Sequence, residues 1–226
     1  MEWSEVLTKT PIYLNLGGGG NCHPNIEYQN YVSVDNYPPL NSWGVKHNLK
    51  DQIPLPDGSV TRIHSEDFLE HITVDEIKRL LVDCYRLLKI GGMMRIGVPD
   101  YNNPKDRPYL KRGSDSRYPE HITLTNYPLL KDLIEESRFS RYKFYHYWDG
   151  ENFIQQPIDY SLGMIKRTPD NDPLSRRIGL VQNLKGYITD FAYKTSHGFQ
   201  SCEQEFLTRE GHRLHVTSLV VDLFKN

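Results

Sequence analysis

The sequence predicts an α/β fold with a doubly wound, mostly parallel sheet and an antiparallel edge. An apolar run, a glycine-rich loop and a second apolar run that ends on an acid occupy the first 35 residues. Strand-like and helix-like patterns then alternate over the first 100 residues. Two late strand-like runs follow without an obvious crossover helix. The 226 residues are about the length of one α/β domain.

The first unit has the layout of a nucleoside-binding βαβ motif. Residues 12–16 read as a buried strand, and the glycines at 17–20 allow a sharp turn or the close approach of a ligand. A second apolar run, residues 31–34, ends on Asp35. An acid at this position accepts hydrogen bonds from ribose hydroxyls.

The glycine spacing indicates which nucleoside is favoured. The dinucleotide pattern G-x-G-x-x-G would need a glycine at Cys22, and His23-Pro24 would interrupt the helix that follows. A ligand without phosphates, held by its ribose, adenine and amino-acid tail, fits better, and that ligand is S-adenosylmethionine. Two alternatives stay open at this point: a nicotinamide cofactor, and four glycines that form only a flexible turn.

The remaining elements follow from periodicity and capping. Residues 73–89 show helical apolar spacing behind a Thr73–Glu76 capping box, and Gly91-Gly92 is predicted to stop this helix. A second helix is predicted over residues 126–136, with Thr125 as its cap. A helical turn is predicted at residues 2–7, and strands at 45–49, 60–64, 93–98, 142–148 and 214–224.

Residues 1–226 are predicted to form a single domain with one long insertion. Between the last two strands, residues of about 149–213 are polar and contain many Pro and Gly residues. A structureless loop of that length is uncommon in a compact domain. We therefore expect an inserted lid or flap with short elements of its own.

Charge, hydropathy and cysteine content indicate which classes of binding partner and which cellular location to expect. The chain has 27 basic and 29 acidic residues, so no nucleic-acid partner is expected. No apolar run could span a bilayer and no signal pattern is present, so no membrane partner is expected. The three scattered cysteines indicate a reducing compartment, and we expect a cytoplasmic location. Composition leaves the oligomeric state open, and a homodimer is possible.

Six motifs in register resemble one known family. They are Leu14-Asn-Leu-Gly-Gly-Gly, Val34-Asp, His47-Asn-Leu, Ile53-Pro-Leu-Pro-Asp-Gly-Ser, Leu69-Glu-His, and the run from Tyr85-Arg-Leu-Leu-Lys to Val98-Pro-Asp. Together they resemble the class I S-adenosylmethionine-dependent methyltransferases, in the branch whose helix after the fourth strand begins Leu-Glu-His. The resemblance covers residues 12–100 and continues more weakly at 121–125 and 217–222. It implies a seven-stranded, Rossmann-like sheet.

The resemblance also implies which residues bind the cofactor. The methionine end would be lined by Asn15, Gly17, Gly18 and Gly19. The ribose would be bound by Asp35 with Asn36, and the adenine would meet Asn48 and Leu49. The pocket would close beside the sulfonium with Ser65 and Glu66.

Departures from the family pattern bear on catalysis. Asn15 and Asn48 replace common acids, and Asp67 stands where relatives often carry a histidine. Three candidate bases follow strands four and five: Asp67 ranks first by position, ahead of His121 and His71.

No metal site is predicted, because His212-x-x-His215 fits no common zinc spacing.

We therefore expect transfer of a methyl group from S-adenosylmethionine to a small-molecule or carbohydrate-like acceptor, with oxygen as the acceptor atom. A non-catalytic module that keeps the cofactor fold is the alternative from another class, favoured by Asn15 and by the missing histidine. A nicotinamide-dependent enzyme is a further alternative, disfavoured by the glycine spacing.

Overall fold

The chain forms an eight-stranded sheet in a computed structural model that describes residues 1–18, 30–37, 42–111, 113–116, 118–165 and 218–226. In spatial order the strands are β3 (Gly44–Lys46), β2 (Tyr31–Asp35), β1 (Ile12–Leu16), β4 (Val60–Glu66), β5 (Leu88–Val98), β10 (Leu219–Phe224), β8 (Arg141–Asp149) and β9 (Asn152–Gln155). A separate two-stranded ladder joins β6 (Leu110–Lys111) to β7 (Ser114–Asp115).

The first five strands of this order, β3 to β5, are parallel. Strands β1 and β2 are almost entirely buried, as expected for a parallel sheet whose two faces are both covered. Because the carboxyl ends of parallel strands meet at one edge, the glycine loop after β1 and Asp35 at the end of β2 come together. The predicted α/β fold is thus confirmed.

Two strands run against the rest of the sheet. Strand β10 lies between β5 and β8 and is antiparallel to both, while β9 pairs back on β8 at the outer edge. The sheet therefore has eight strands rather than the seven expected. The additional strand β9 comes from the predicted insertion, where Gly150 adopts a φ of 60° in the tight turn after β8.

The α-helices within the described residues are α1 (Trp3–Val6), α2 (Val74–Leu87) and α3 (Tyr127–Glu136). The capping box of α2 is confirmed: the Glu76 N–H donates to Thr73 Oγ1, and the Thr73 N–H donates to a Glu76 carboxylate oxygen at 2.8 Å. The buried face of α2 packs into the main core, with Ile77, Leu80, Leu81, Cys84 and Leu87.

Two predicted helix boundaries were wrong. Helix α2 ends at Leu87 and β5 begins at Leu88, so Gly91 and Gly92 lie inside the strand. Leu88 already has an extended conformation with a ψ of 137°, and the Gly91 N–H donates to the Lys225 carbonyl just beyond β10. The cap of α3 is Asn126, whose Oδ1 accepts from the Leu129 N–H, whereas Thr125 donates its hydroxyl to the Pro99 carbonyl.

One buried ion pair joins β5 to β10. Arg95 and Asp222 are opposite each other in the ladder and almost fully buried, and two hydrogen bonds of 2.6 and 2.7 Å connect them. Nη2 of Arg95 also donates to the Asp159 carbonyl at 3.1 Å, and the Tyr160 ring lies beside the guanidinium. Burial alone lowers the pKa of Arg95, but the hydrogen bonds and charge of Asp222 outweigh this and raise the pKa.

The described start of the insertion packs on the sheet. After β9 the chain buries Ile158, Tyr160, Met164 and Ile165. The Tyr31 hydroxyl donates to the Gly163 carbonyl and so ties this segment to β2. The remainder of the predicted lid, from residue 166 to 213, lies outside the described residues. In the described part of the chain, no helix is long and apolar enough to cross a membrane.

Candidate active site

A cavity of about 470 Å³ opens at the carboxyl ends of the first four strands. Its wall is formed by the loops after β1, β2, β3 and β4 and by one residue of the loop before α3. It is lined by Gly17, Asp35, Asn36, Tyr37, Asn48, Leu49, Lys50, Asp67, Phe68, His71, Ile72 and Glu120. This is the edge at which open α/β sheets bind their ligands.

The glycine loop needs its first glycine for conformation and for space. Gly17 has a φ of 70°, and its N–H donates to the Val34 carbonyl at 2.9 Å. A Cβ at this position would collide with the ring of Phe68. A Cβ at Gly18 would collide with the amide of Asn15, which lies buried beneath the loop. Gly19 lies outside the described residues.

Two short loops hold the polar residues expected at the ribose and adenine. The carboxylate of Asp35 accepts from the Tyr37 N–H at 3.0 Å, which bends the chain directly after β2. In the same way, Asn48 Oδ1 accepts from the Lys50 N–H at 3.1 Å. Each turn leaves its polar residue on the cavity wall, beside the buried side chain of Leu49.

Asp67 adopts a left-handed backbone conformation where β4 ends. Its φ is 52°, and its N–H donates to the Gly97 carbonyl at 2.9 Å. Residues other than glycine rarely adopt this conformation, and where they do, the strain is often associated with a functional site. The turn brings Asp67 onto the cavity wall beside Phe68.

Three side chains meet beside the cavity, and we call them the Glu70 cluster: Glu70, His71 and His121. One ligand atom from each lies within 4.8 Å of the others. The two imidazole rings are perpendicular, with centroids 4.7 Å apart. Glu70 is 1% exposed and His121 is 8% exposed, whereas the partly exposed His71 lines the cavity.

Hydrogen bonds and a ring contact hold His121 close to the turn after β4. The Thr123 N–H donates to the Glu70 carbonyl, and the Thr123 hydroxyl donates to the Ile72 carbonyl at 2.6 Å. The Tyr101 hydroxyl is 2.5 Å from Nδ1 of His121, and the ring of Tyr118 stacks on the imidazole. The loop before α3 is thereby fastened to the turn after β4.

Several predicted site residues do not line the cavity. Ser65 and Glu66 lie in β4, where Ser65 is buried and Glu66 packs against Gly97. Asn15 and Gly18 lie behind the wall, and His121 is buried in the Glu70 cluster. The lining residues that were not predicted are Tyr37, Lys50, Phe68, Ile72 and Glu120. Each of the five adjoins a predicted residue in the sequence, and that proximity was the only signal for them.

The cavity wall carries more negative than positive charge. Asp35, Asp67 and Glu120 contribute carboxylates, and the cation Lys50 is 3.1 Å from the carboxylate of Glu76. Hydrogen bonds from the Thr73 backbone and from Lys50 lower the pKa of Glu76, so that carboxylate stays ionised. Such a wall suits a ligand that carries positive charge.

Comparisons with known proteins agree with this geometry. Residues 18–96 match the family model described as a methyltransferase domain. The fold is similar to a SAM-dependent methyltransferase from Archaeoglobus fulgidus, with a TM-score of 0.54 and 14% identity over 99% of this chain and 90% of that chain. No curated protein matches the sequence significantly.

Two further solved structures share the fold. One is a SAM-dependent methyltransferase from Thermotoga maritima, described as a possible histamine N-methyltransferase, with a TM-score of 0.52 and 15% identity over 95% of this chain and 82% of that chain. The other is phosphoethanolamine N-methyltransferase 2 from Haemonchus contortus in complex with S-adenosylhomocysteine, with a TM-score of 0.51 and 13% identity over 94% of this chain and 48% of that chain. Residues 18–96 thus match a methyltransferase domain model, and the fold of the chain is similar to that of S-adenosylmethionine-dependent methyltransferases.

Proposed function

We propose that the cavity binds S-adenosylmethionine and that the chain transfers its methyl group to a small-molecule or carbohydrate-like acceptor, on oxygen. The observation that carries the proposal is the convergence of Gly17, Asp35 and Asp67 on one acidic cavity at the sheet edge. The cofactor carries a sulfonium and an ammonium group, so a wall rich in carboxylates favours it over a pyrophosphate-bearing ligand.

The cavity supports an assignment of cofactor contacts. Asp35 would accept hydrogen bonds from the ribose hydroxyls, since it ends β2 beside the glycine loop. Asn48 and Leu49 would meet the adenine edge and face, and the 74% exposed ring of Tyr37 adds an aromatic surface nearby. The methionine end would lie along Gly17, with Asn15 supporting the loop from behind.

The reaction needs alignment more than it needs acid–base chemistry. The sulfonium already carries a good leaving group, so holding the acceptor in line with the methyl group supplies much of the acceleration. An alcohol also needs to lose its proton, and one base suffices. Asp67 is our first candidate because it lies on the cavity wall, followed by His71 on the wall and by His121 behind it.

Calorimetric titration with S-adenosylhomocysteine and with NAD tests the cofactor assignment. We expect one S-adenosylhomocysteine site per chain and no NAD binding. Binding of NAD alone would overturn the proposal in favour of a nicotinamide-dependent enzyme. Transfer of a labelled methyl group to components of a cell extract separates catalysis from a non-catalytic binding module, which would bind the cofactor without releasing labelled product.

The Asp67→Asn variant tests the base once an acceptor is known. A base contributes typically about 10²–10⁴-fold in rate, so this variant should lose activity while it still binds S-adenosylhomocysteine normally. The His121→Ala variant is the parallel test. If neither variant loses more than about threefold in rate, well below the usual contribution of a base, an acceptor that is an amine or is already ionised becomes the better proposal.

A further inference from the structure

We propose that Glu70, His71 and His121 bind one divalent transition-metal ion beside the cavity. Their ligand atoms lie within 4.8 Å of one another. Metal–nitrogen and metal–oxygen bonds are about 2.0–2.2 Å long, so a small inward movement of the side chains would let all three reach one ion. Two imidazoles and one carboxylate form a ligand set that occurs at catalytic metal centres with open positions.

The burial of Glu70 supports a cation at this place. The residue is 1% exposed, and both of its carboxylate oxygens are buried. A buried, charged carboxylate is stable only where nearby groups compensate its charge. An ion shared with two neutral imidazoles would supply a positive charge at the carboxylate itself.

The hydrogen bonds of both histidines are those expected of metal ligands. Nδ1 of His71 is 3.2 Å from the Glu120 carbonyl, and because a carbonyl only accepts, the proton of the neutral ring is on Nδ1 and the lone pair is on Nε2. Nδ1 of His121 is hydrogen-bonded to the Tyr101 hydroxyl, whose oxygen can accept from an N–H at Nδ1. Such outer contacts orient ligating histidines and fix their tautomers.

The donor set indicates the class of metal. Imidazole nitrogens favour zinc, cobalt or iron over magnesium and calcium, which prefer oxygen ligands. Three protein ligands leave at least one coordination position open, and His71 places the ion at the cavity wall. An ion of the zinc class would therefore be accessible to a molecule in the cavity.

The role of the ion rests on the proposed function. An acceptor hydroxyl bound to the open position would lose its proton more readily, to Asp67 or to water. The acceptor oxygen then forms a bond to the methyl carbon as the carbon–sulfur bond breaks, and S-adenosylhomocysteine leaves with the electron pair. Oxygen acceptors that chelate, such as vicinal hydroxyls or phosphorylated alcohols, would suit this arrangement best.

Cobalt binding tests the site without an acceptor. Chelator-treated, tag-free protein is titrated with Co²⁺, and binding is followed by visible absorption and by calorimetry. The expected result is one ion per chain, with the visible absorption bands of Co²⁺ bound by nitrogen and oxygen ligands. The Glu70→Gln and His71→Gln variants should each lose at least about tenfold in Co²⁺ affinity. The partly exposed His71 is the safer of the two for folding. His47→Gln is the matched control, since His47 contacts Trp3 outside the cluster and should leave the affinity unchanged.

S-adenosylhomocysteine binding is measured on the same samples, which separates this inference from the proposed function. Wild-type protein that binds S-adenosylhomocysteine but not Co²⁺ or Zn²⁺ would overturn the metal site and leave the proposed function standing. If the His71→Gln and Glu70→Gln variants bind Co²⁺ as tightly as wild-type protein does, the ion lies elsewhere and the proposed metal site is also overturned. Metal binding without S-adenosylhomocysteine binding would instead refute the cofactor assignment alone.

Discussion

The Asp222→Asn substitution should strongly destabilise the fold, because it removes the charge that compensates buried Arg95. The Arg95 and Asp222 side chains are 1% and 0% exposed, and the shortest N–O distance between them is 2.6 Å. The substitution keeps the side-chain volume, so it leaves no cavity and changes mainly the charge. Removing one partner of a buried pair typically costs about 3–5 kcal/mol. Domains are commonly stable by only about 5–15 kcal/mol, so the loss is a large fraction.

Denaturant unfolding and a thermal melt measure the effect. In a chain of this size about 1 kcal/mol corresponds to about 2–4 °C, so the midpoint should fall by about 10 °C. Glu151→Gln is the matched control, because Glu151 and Arg107 also lie 2.6 Å apart but are 68% and 61% exposed. An exposed pair contributes little, so this control should change stability by about 0.5 kcal/mol or less.

A double variant tests the reasoning further. Replacing both Arg95 and Asp222 by apolar residues of similar volume should be less destabilising than Asp222→Asn alone, since it leaves no uncompensated charge. The Asp159 carbonyl would lose its contact with Arg95, so some loss of stability should remain. If Asp222→Asn and Glu151→Gln shift the midpoint equally, burial does not set the energetics of this pair and the argument fails.

Three further predictions concern the cavity and helix α2. Asp35→Ala should weaken S-adenosylhomocysteine binding at least about tenfold by calorimetry, because it removes a charged acceptor of ribose hydrogen bonds; unchanged affinity in folded protein would remove Asp35 from the site. Gly17→Ala should weaken binding and lower the melting temperature, because its Cβ would meet Phe68 at a φ of 70°; normal binding at wild-type stability would refute the close approach. Thr73→Ala should cost about 1 kcal/mol in denaturant unfolding, because it removes the α2 cap, and a change below about 0.3 kcal/mol would count against that cap.

The resemblance implied some site residues that the structure places differently. Gly17, Asp35 and Asn48 were expected at the cofactor and line the cavity, because each directly follows a parallel strand and that edge of the sheet is set by topology. Ser65 was expected there too, but it is buried within β4. The strand continues to Glu66, and local composition does not mark its last residue.

Local chemistry in the sequence was sufficient to determine the strand–glycine loop–strand unit, the capping box of α2 and the acid that ends β2. Each depends on residues a few positions apart, so short-range patterns report it directly. Contacts between distant segments decided the rest. Arg95 meets Asp222 across 127 residues, and the Thr123 hydroxyl meets Ile72 across 51. That second contact, together with the hydrogen bond from the Thr123 N–H to the Glu70 carbonyl, holds the loop before α3 against the turn after β4 and so brings the Glu70 cluster together. No spacing in the chain encodes such a meeting.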